Sequence, residues 1–89
     1  MAANFLLPPT GEGPVTTLSV SVTVTGALAG AYVQLYRNGV PAGNPEIATH
    51  NGIASVTVTG LNLAAGDQLA ATQSHDNVVS PPSPFLQTV

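Results

Sequence analysis

Between Val15 and Thr25 apolar and hydroxylated side chains alternate: Leu18, Val20, Val22 and Val24 fall on one face, and Thr17, Ser19, Ser21, Thr23 and Thr25 on the other. A period of two is the signature of a half-buried β-strand, because successive side chains leave a strand on opposite faces. The outward face carries hydroxyls where charges are usual, so it is flat, neutral and open to contact. Ala54, Val56 and Val58 repeat the pattern against Ser55, Thr57 and Thr59, which predicts an antiparallel neighbour for the first strand.

Between these two runs, Ala31, Val33 and Leu35 alternate with Tyr32, Gln34 and Tyr36, a further strand ending at Arg37. Asn38-Gly39 then offers the positive backbone dihedrals of a tight type I′ hairpin. Residues 40–49 return as a short strand interrupted by Pro41 and Pro45, which suits an edge because proline cannot donate to a central ladder. Asn51-Gly52 marks another reversal. Residues 60–67 place Leu61 and Leu63 ahead of a closing turn, as apolar plugs in a crossover. Leu69, Ala71 and Gln73 share one face, Ser74 to Asn77 make a polar tip, and Val78 and Val79 lead into a proline-rich stretch before Phe85 to Val89. Six or seven short strands with no helical periodicity predict an all-β sandwich.

The chain divides at residue 14. Residues 1–14 combine Phe5, Leu6 and Leu7 with Pro8, Pro9, Gly11, Gly13 and Pro14, an extended N-terminal arm or first strand; residues 15–89 form the sandwich. Phe5 to Leu7 either make the first strand of this domain, the favoured alternative, or reach a neighbouring subunit as an added strand. Eighty-nine residues close a single small core, and with no cysteine no disulfide staples it.

Only Arg37 opposes Glu12, Glu46, Asp67 and Asp76, and charged residues make up 6% of the chain where about 25% is usual. One arginine and no lysine cannot displace the counterions of a nucleic-acid backbone, so no nucleic acid is expected as partner. No apolar run approaches the ~20 residues of a membrane span, and membrane insertion is not expected. The first residues lack the cationic and long apolar regions of an export signal.

Nor does the sequence point to catalysis. His50 and His75 sit in separate turns without metal-ligand spacing. Asp67, Asp76 and Asn77 could offer oxygens to calcium from neighbouring loops, but a dense acidic loop is missing, and Asp67 is better read as a partner of turn backbone. Ser74-His75-Asp76 is adjacency along a loop, whereas triads converge from separate elements. No catalytic residue, metal or cofactor is expected. Tyr32 and Tyr36 remain as contact candidates, since tyrosine combines large apolar area with a hydroxyl; the alternative is that the arm or an edge strand covers them.

The segments Gly30-Ala31-Tyr32-Val33-Gln34-Leu35-Tyr36-Arg37-Asn38-Gly39, Leu63 to Gln73 and Ser80-Pro81-Pro82-Ser83-Pro84, in that order, resemble the bacterial Ig-like repeat over roughly residues 15–89. That resemblance implies an immunoglobulin-like antiparallel β-sandwich of about seven strands, in a family found in tandem on bacterial surface proteins and as additions to phage structural proteins. It implies a spacing or adhesive role. The leading expectation is a capsid decoration protein at a virion surface, favoured by the initial Met1 and the lack of an export signal. The alternative is a repeat of a bacterial cell-surface adhesin, and a second alternative is a carbohydrate-binding module using Tyr32 and Tyr36. The expected partner is a protein, a capsid or surface-assembly subunit, with a homo-oligomer or a glycan as further options. The candidate contact residues are Phe5, Leu6, Leu7, Tyr32 and Tyr36.

Overall fold

The structure is a computed structural model that describes residues 6–89. Eight strands form two antiparallel sheets: β1 (Thr10–Gly11), β2 (Ser21–Thr25), β3 (Tyr32–Arg37), β4 (Val40–Ile47), β5 (Ala54–Thr57), β6 (Gln68–His75), β7 (Val78–Val79) and β8 (Leu86–Gln87). One sheet has the order β1-β2-β5. The other runs β4-β3-β6-β7, with β8 also paired to β6. Val22 and Val24 of β2, Val56 of β5, Val33 and Leu35 of β3, and Leu69 and Ala71 of β6 meet between the sheets and are buried.

The turns follow their backbone chemistry. Asn38 (φ 51°) and Gly39 (φ 83°) both take the left-handed conformation, which brings Val40 opposite Arg37. Asp76 and Asn77 do the same between β6 and β7. As the prolines predict, β4 is an edge strand, although at eight residues it is longer than expected. Its register shifts between Val33 and Leu35 of β3, and the Gln34 side-chain amide bridges the irregularity by donating to the Ala42 carbonyl at 3.1 Å.

The first alternating run is broken where the sequence shows no break. Strand β2 begins only at Ser21, and Leu18 and Val20 are 88% and 67% exposed instead of joining Val22 and Val24 inside. The cause is a hydroxyl-closed turn. Thr16 N–H donates to Ser19 Oγ (2.9 Å), Leu18 N–H to Thr16 Oγ1 (3.1 Å) and Ser19 N–H to the Thr16 carbonyl (3.1 Å). Local serine and threonine bonds of this kind compete with a ladder. Val15, ahead of the turn, is buried and pairs in parallel with Thr88.

The C-terminal segment runs along β6 despite Pro81, Pro82 and Pro84. Ser80 N–H donates to the Gln73 carbonyl (2.8 Å) while Ser80 Oγ accepts from Gln73 N–H (3.0 Å), and Ser83 repeats both bonds with Ala71 at 2.8 and 2.9 Å. Two hydroxyls thus replace the ladder groups that the prolines displace.

The termini of the described chain lie at opposite poles. Strand β1 pairs Thr10 with Thr25, at the end of β2 nearest the Gly26–Gly30 turn, so Leu6 and Leu7 lie at that pole with the 49–52 turn and the Asp76-Asn77 tip. At the other pole, Val89 N–H donates to the Val15 carbonyl (2.9 Å), beside the 16–19 turn, the Asn38-Gly39 tip and the crossover. The molecule measures 44 × 22 × 18 Å.

Candidate interaction surface

Tyr32 and Tyr36 point outward from β3, opposite to Val33 and Leu35. Tyr32 is 54% exposed and Tyr36 half-buried. Four residues apart on one strand, their backbones are separated by about 13 Å with Gln34 between, too far for both rings to stack on one sugar unit. Each tyrosine borders its own hollow, and Val79 borders both. The Tyr36 hollow, about 370 Å³, has the buried Ala70 and Thr72 between Tyr36 on one side and Val79, Pro82 and Phe85 on the other. Phe85 and Val79 are exposed. Their contribution to this face was missed in the sequence, because it depends on the serine-spaced proline segment being laid along β6.

Leu6 and Leu7 belong to a different surface. The Leu7 carbonyl accepts from Gln73 Nε2 at 2.7 Å, and Gln73 Oε1 accepts from Leu28 N–H at 2.7 Å. Gln73 itself is 3% exposed and lies on the inward face of β6. One buried amide therefore ties the N-terminal segment to the β2–β3 turn. The first ladder strand is Thr10–Gly11, and Phe5 lies outside the described residues. The candidate contacts are split accordingly, the tyrosines on the outer face of the larger sheet and the leucines at one pole.

The polar candidates are also dispersed. Strand β6 separates Asp67, before its first residue, from Asp76 and Asn77, beyond its last, by about 30 Å of extended chain, so they cannot share an ion. They are not on neighbouring loops. Asp67 closes its own turn: Oδ2 accepts from Ala64 N–H (2.9 Å) and Oδ1 from the Asn38 side-chain amide (3.0 Å). These bonds, the Ala64 amide first, hold its carboxyl below the ordinary value, with a smaller contribution from the Arg37 charge. Asn38 Oδ1 also accepts from Gln68 N–H (2.9 Å), so one side chain stitches the hairpin tip to the crossover. Arg37 Nη1 donates to the Leu61 carbonyl. His75 Nδ1 lies 3.2 Å from Asp76 Oδ2 at an exposed tip, an arrangement of little energetic weight. Among the described residues, no three His, Cys, Asp or Glu side chains gather as a metal site.

The strand order places β1, β2 and β5 against β3, β4, β6 and the interrupted β7–β8 edge, with the β2–β3, β4–β5 and β5–β6 connections crossing between the layers. Among solved structures, the chain superposes on one described as the BSP domain of a biofilm-associated protein, with a TM-score of 0.78 and 27% sequence identity. The fold is immunoglobulin-like. The match covers 94% of this chain and 14% of that one, so the Ig-like domain spans a small part of the longer protein. No protein-family model matches the chain. No curated protein sequence matches it either.

Proposed function

We propose that this Ig-like domain is a non-enzymatic spacer and contact module of a bacterial cell-surface protein. The observation that carries this reading is the likeness to a biofilm-associated protein's domain along 94% of the chain at 27% identity. Of the three readings that the sequence leaves open, the likeness supports the cell-surface adhesin and adds nothing to capsid decoration or to a carbohydrate-binding module. Physical features of the domain fit such a role. The chain enters at one pole and leaves at the other, so each domain adds its long dimension to the protein that contains it. With charged residues only 6% of the chain, the surface presents hydroxyls and apolar side chains for contact with little electrostatic steering.

Antibodies against the isolated domain test this on the producing cells. They are expected to label intact cells and to lose that signal after brief protease treatment of the cell exterior. Labelling only after permeabilisation, or recovery of the antigen only in purified phage particles, would overturn the reading.

A further inference from the structure

The Tyr36 hollow contains a hydroxyl that the domain itself does not use. Thr72 lies on the outward face of β6, opposite Gln34, and is only 8% exposed, yet its hydroxyl bonds to no group among the described residues. The neighbours that could serve it are committed elsewhere. The Gln34 amide donates to the Leu35 and Ala42 carbonyls at 2.8 and 3.1 Å, while Ser80 Oγ accepts from Gln73 N–H (3.0 Å) and donates to the Pro81 carbonyl (2.9 Å). A purely apolar occupant would strip solvent from the Thr72 hydroxyl and leave it unpaired, so the hollow suits an occupant that brings an acceptor. Its shape follows from the register. Ala70 and Thr72 of β6 make the floor; β3 is the bank on one side, and residues 80–86, held to β6 through Ser80, Ser83 and Leu86, are the bank on the other. Two strand spacings separate the banks, about 10 Å, which admits one extended chain.

We infer that this hollow binds an uncharged, proline-rich segment of a partner protein in the polyproline II conformation. This rests on the contact-module reading above and names the chemistry of the contact. A prolyl amide has a carbonyl to accept from Thr72 and no N–H that would itself need an acceptor. The walls are Tyr36 and the exposed Phe85, with Pro82 and Val79 beside them, and aromatic-lined grooves are how extended proline segments are held. Charge matches as neutral against neutral. No charged side chain lines the hollow, and Arg37, the single basic side chain, is turned to the Leu61 carbonyl, so an acidic segment finds no partner here. A sugar ring fits less well, because its several hydroxyls would face Val79, Pro82 and Phe85, whose side chains offer them no hydrogen bond. Polyproline II is already ordered before binding, so a shallow site can hold it with little entropy to recover.

Decaproline titrated into the isotope-labelled domain tests the inference by NMR. The amide resonances of Tyr36, Thr72 and Phe85 should shift and saturate, while those of β2 and β5, in the other sheet, stay in place. Thr72→Val keeps the branched shape and removes only the hydroxyl, so the melting temperature should hold within about 1 °C while decaproline binds about fivefold more weakly. Phe85→Ala removes an exposed wall and should weaken binding by about tenfold with as little effect on melting. No shift at about 5 mM decaproline, or equal affinity for the parent and Thr72→Val, would overturn the inference. So would tighter binding at the same resonances by a glycine-serine peptide of equal length, which would mean a site for any extended peptide, or by maltohexaose, which would mean a glycan site. Surface labelling is independent of these results: decaproline binding without it would leave the ligand valid and remove the cell-surface setting.

Discussion

Gly52→Ala is expected to lower the melting temperature far more than Gly26→Ala, although the two glycines have nearly identical φ angles. Gly52 has φ 74° and Gly26 φ 75°, so alanine pays the same left-handed cost at each, about 1–2 kcal/mol. Their surroundings differ. A Cβ at Gly26 meets nothing within 4 Å, whereas at Gly52 it would lie 2.4 Å from the Ala27 carbonyl oxygen. That oxygen is backbone, so the strain can be relieved only by moving the turn. The same movement endangers the Ala27 N–H to Gly52 carbonyl bond of 3.1 Å, which joins the 49–52 turn to the β2–β3 turn. The total at Gly52 is about 3–5 kcal/mol, a large part of what a domain of this size has. At ~4–8 °C per kcal/mol, Gly52→Ala should melt at least ~10 °C below Gly26→Ala. Equal melting temperatures by circular dichroism would show that the close approach of the two turns is wrong.

Gln73→Leu is expected to be the most damaging substitution of a polar residue. Leucine nearly preserves the volume but leaves the Leu7 carbonyl and the Leu28 amide without their partner, each bonded at 2.7 Å in the native domain. A buried group stripped of its partner costs about 1–3 kcal/mol. Both groups lie near the entry pole, where water can partly compensate, so the combined loss is about 2–4 kcal/mol. Urea unfolding measures the total, and hydrogen exchange identifies the mechanism: the Leu28 amide should lose protection even where the β3–β6 ladder keeps it. A stability within about 0.5 kcal/mol of the parent, with Leu28 still protected, would mean the amide clamp is not formed.

The contrast between Gly52 and Gln73 shows which parts of this fold can be read from residues. Asn38-Gly39 and Asn51-Gly52 are legible because left-handed backbone is a local demand that few residue types meet. Pro41 and Pro45 are legible as an edge because the missing donor is a property of the residue itself. The clamp is not legible in this way. Gln73 looks like one more position in an alternating run, and its partners, Leu7 and Leu28, are 66 and 45 residues away in sequence. Leu18 and Val20 mislead for the opposite reason, since their phase is right for the core but Thr16 and Ser19 close a turn that ends the strand before it reaches them. Of the contact surface, Tyr32 and its outward direction follow from alternation. Phe85 and Val79 do not, because their placement depends on Ser80 and Ser83 acting as hydrogen-bond surrogates beside three prolines.

On the spacer reading proposed above, the Ig-like domain carries extension between its poles. The exit end is tied by three backbone bonds: Val89 N–H to the Val15 carbonyl (2.9 Å), Gly66 N–H to the Thr88 carbonyl (2.7 Å) and Thr88 N–H to the Asp67 carbonyl (2.8 Å). With Val15 and Thr88 paired in parallel, a pull between the poles loads these bonds together, in shear, instead of one after another. The chain has no cysteine, so single cysteines can serve as unique handles. Single-molecule pulling between handles at residues 6 and 89 should require a clearly higher unfolding force than pulling between handles at residues 50 and 77, exposed turn positions at the same pole. An unfolding force between the poles no higher than that between the two turns would contradict the account.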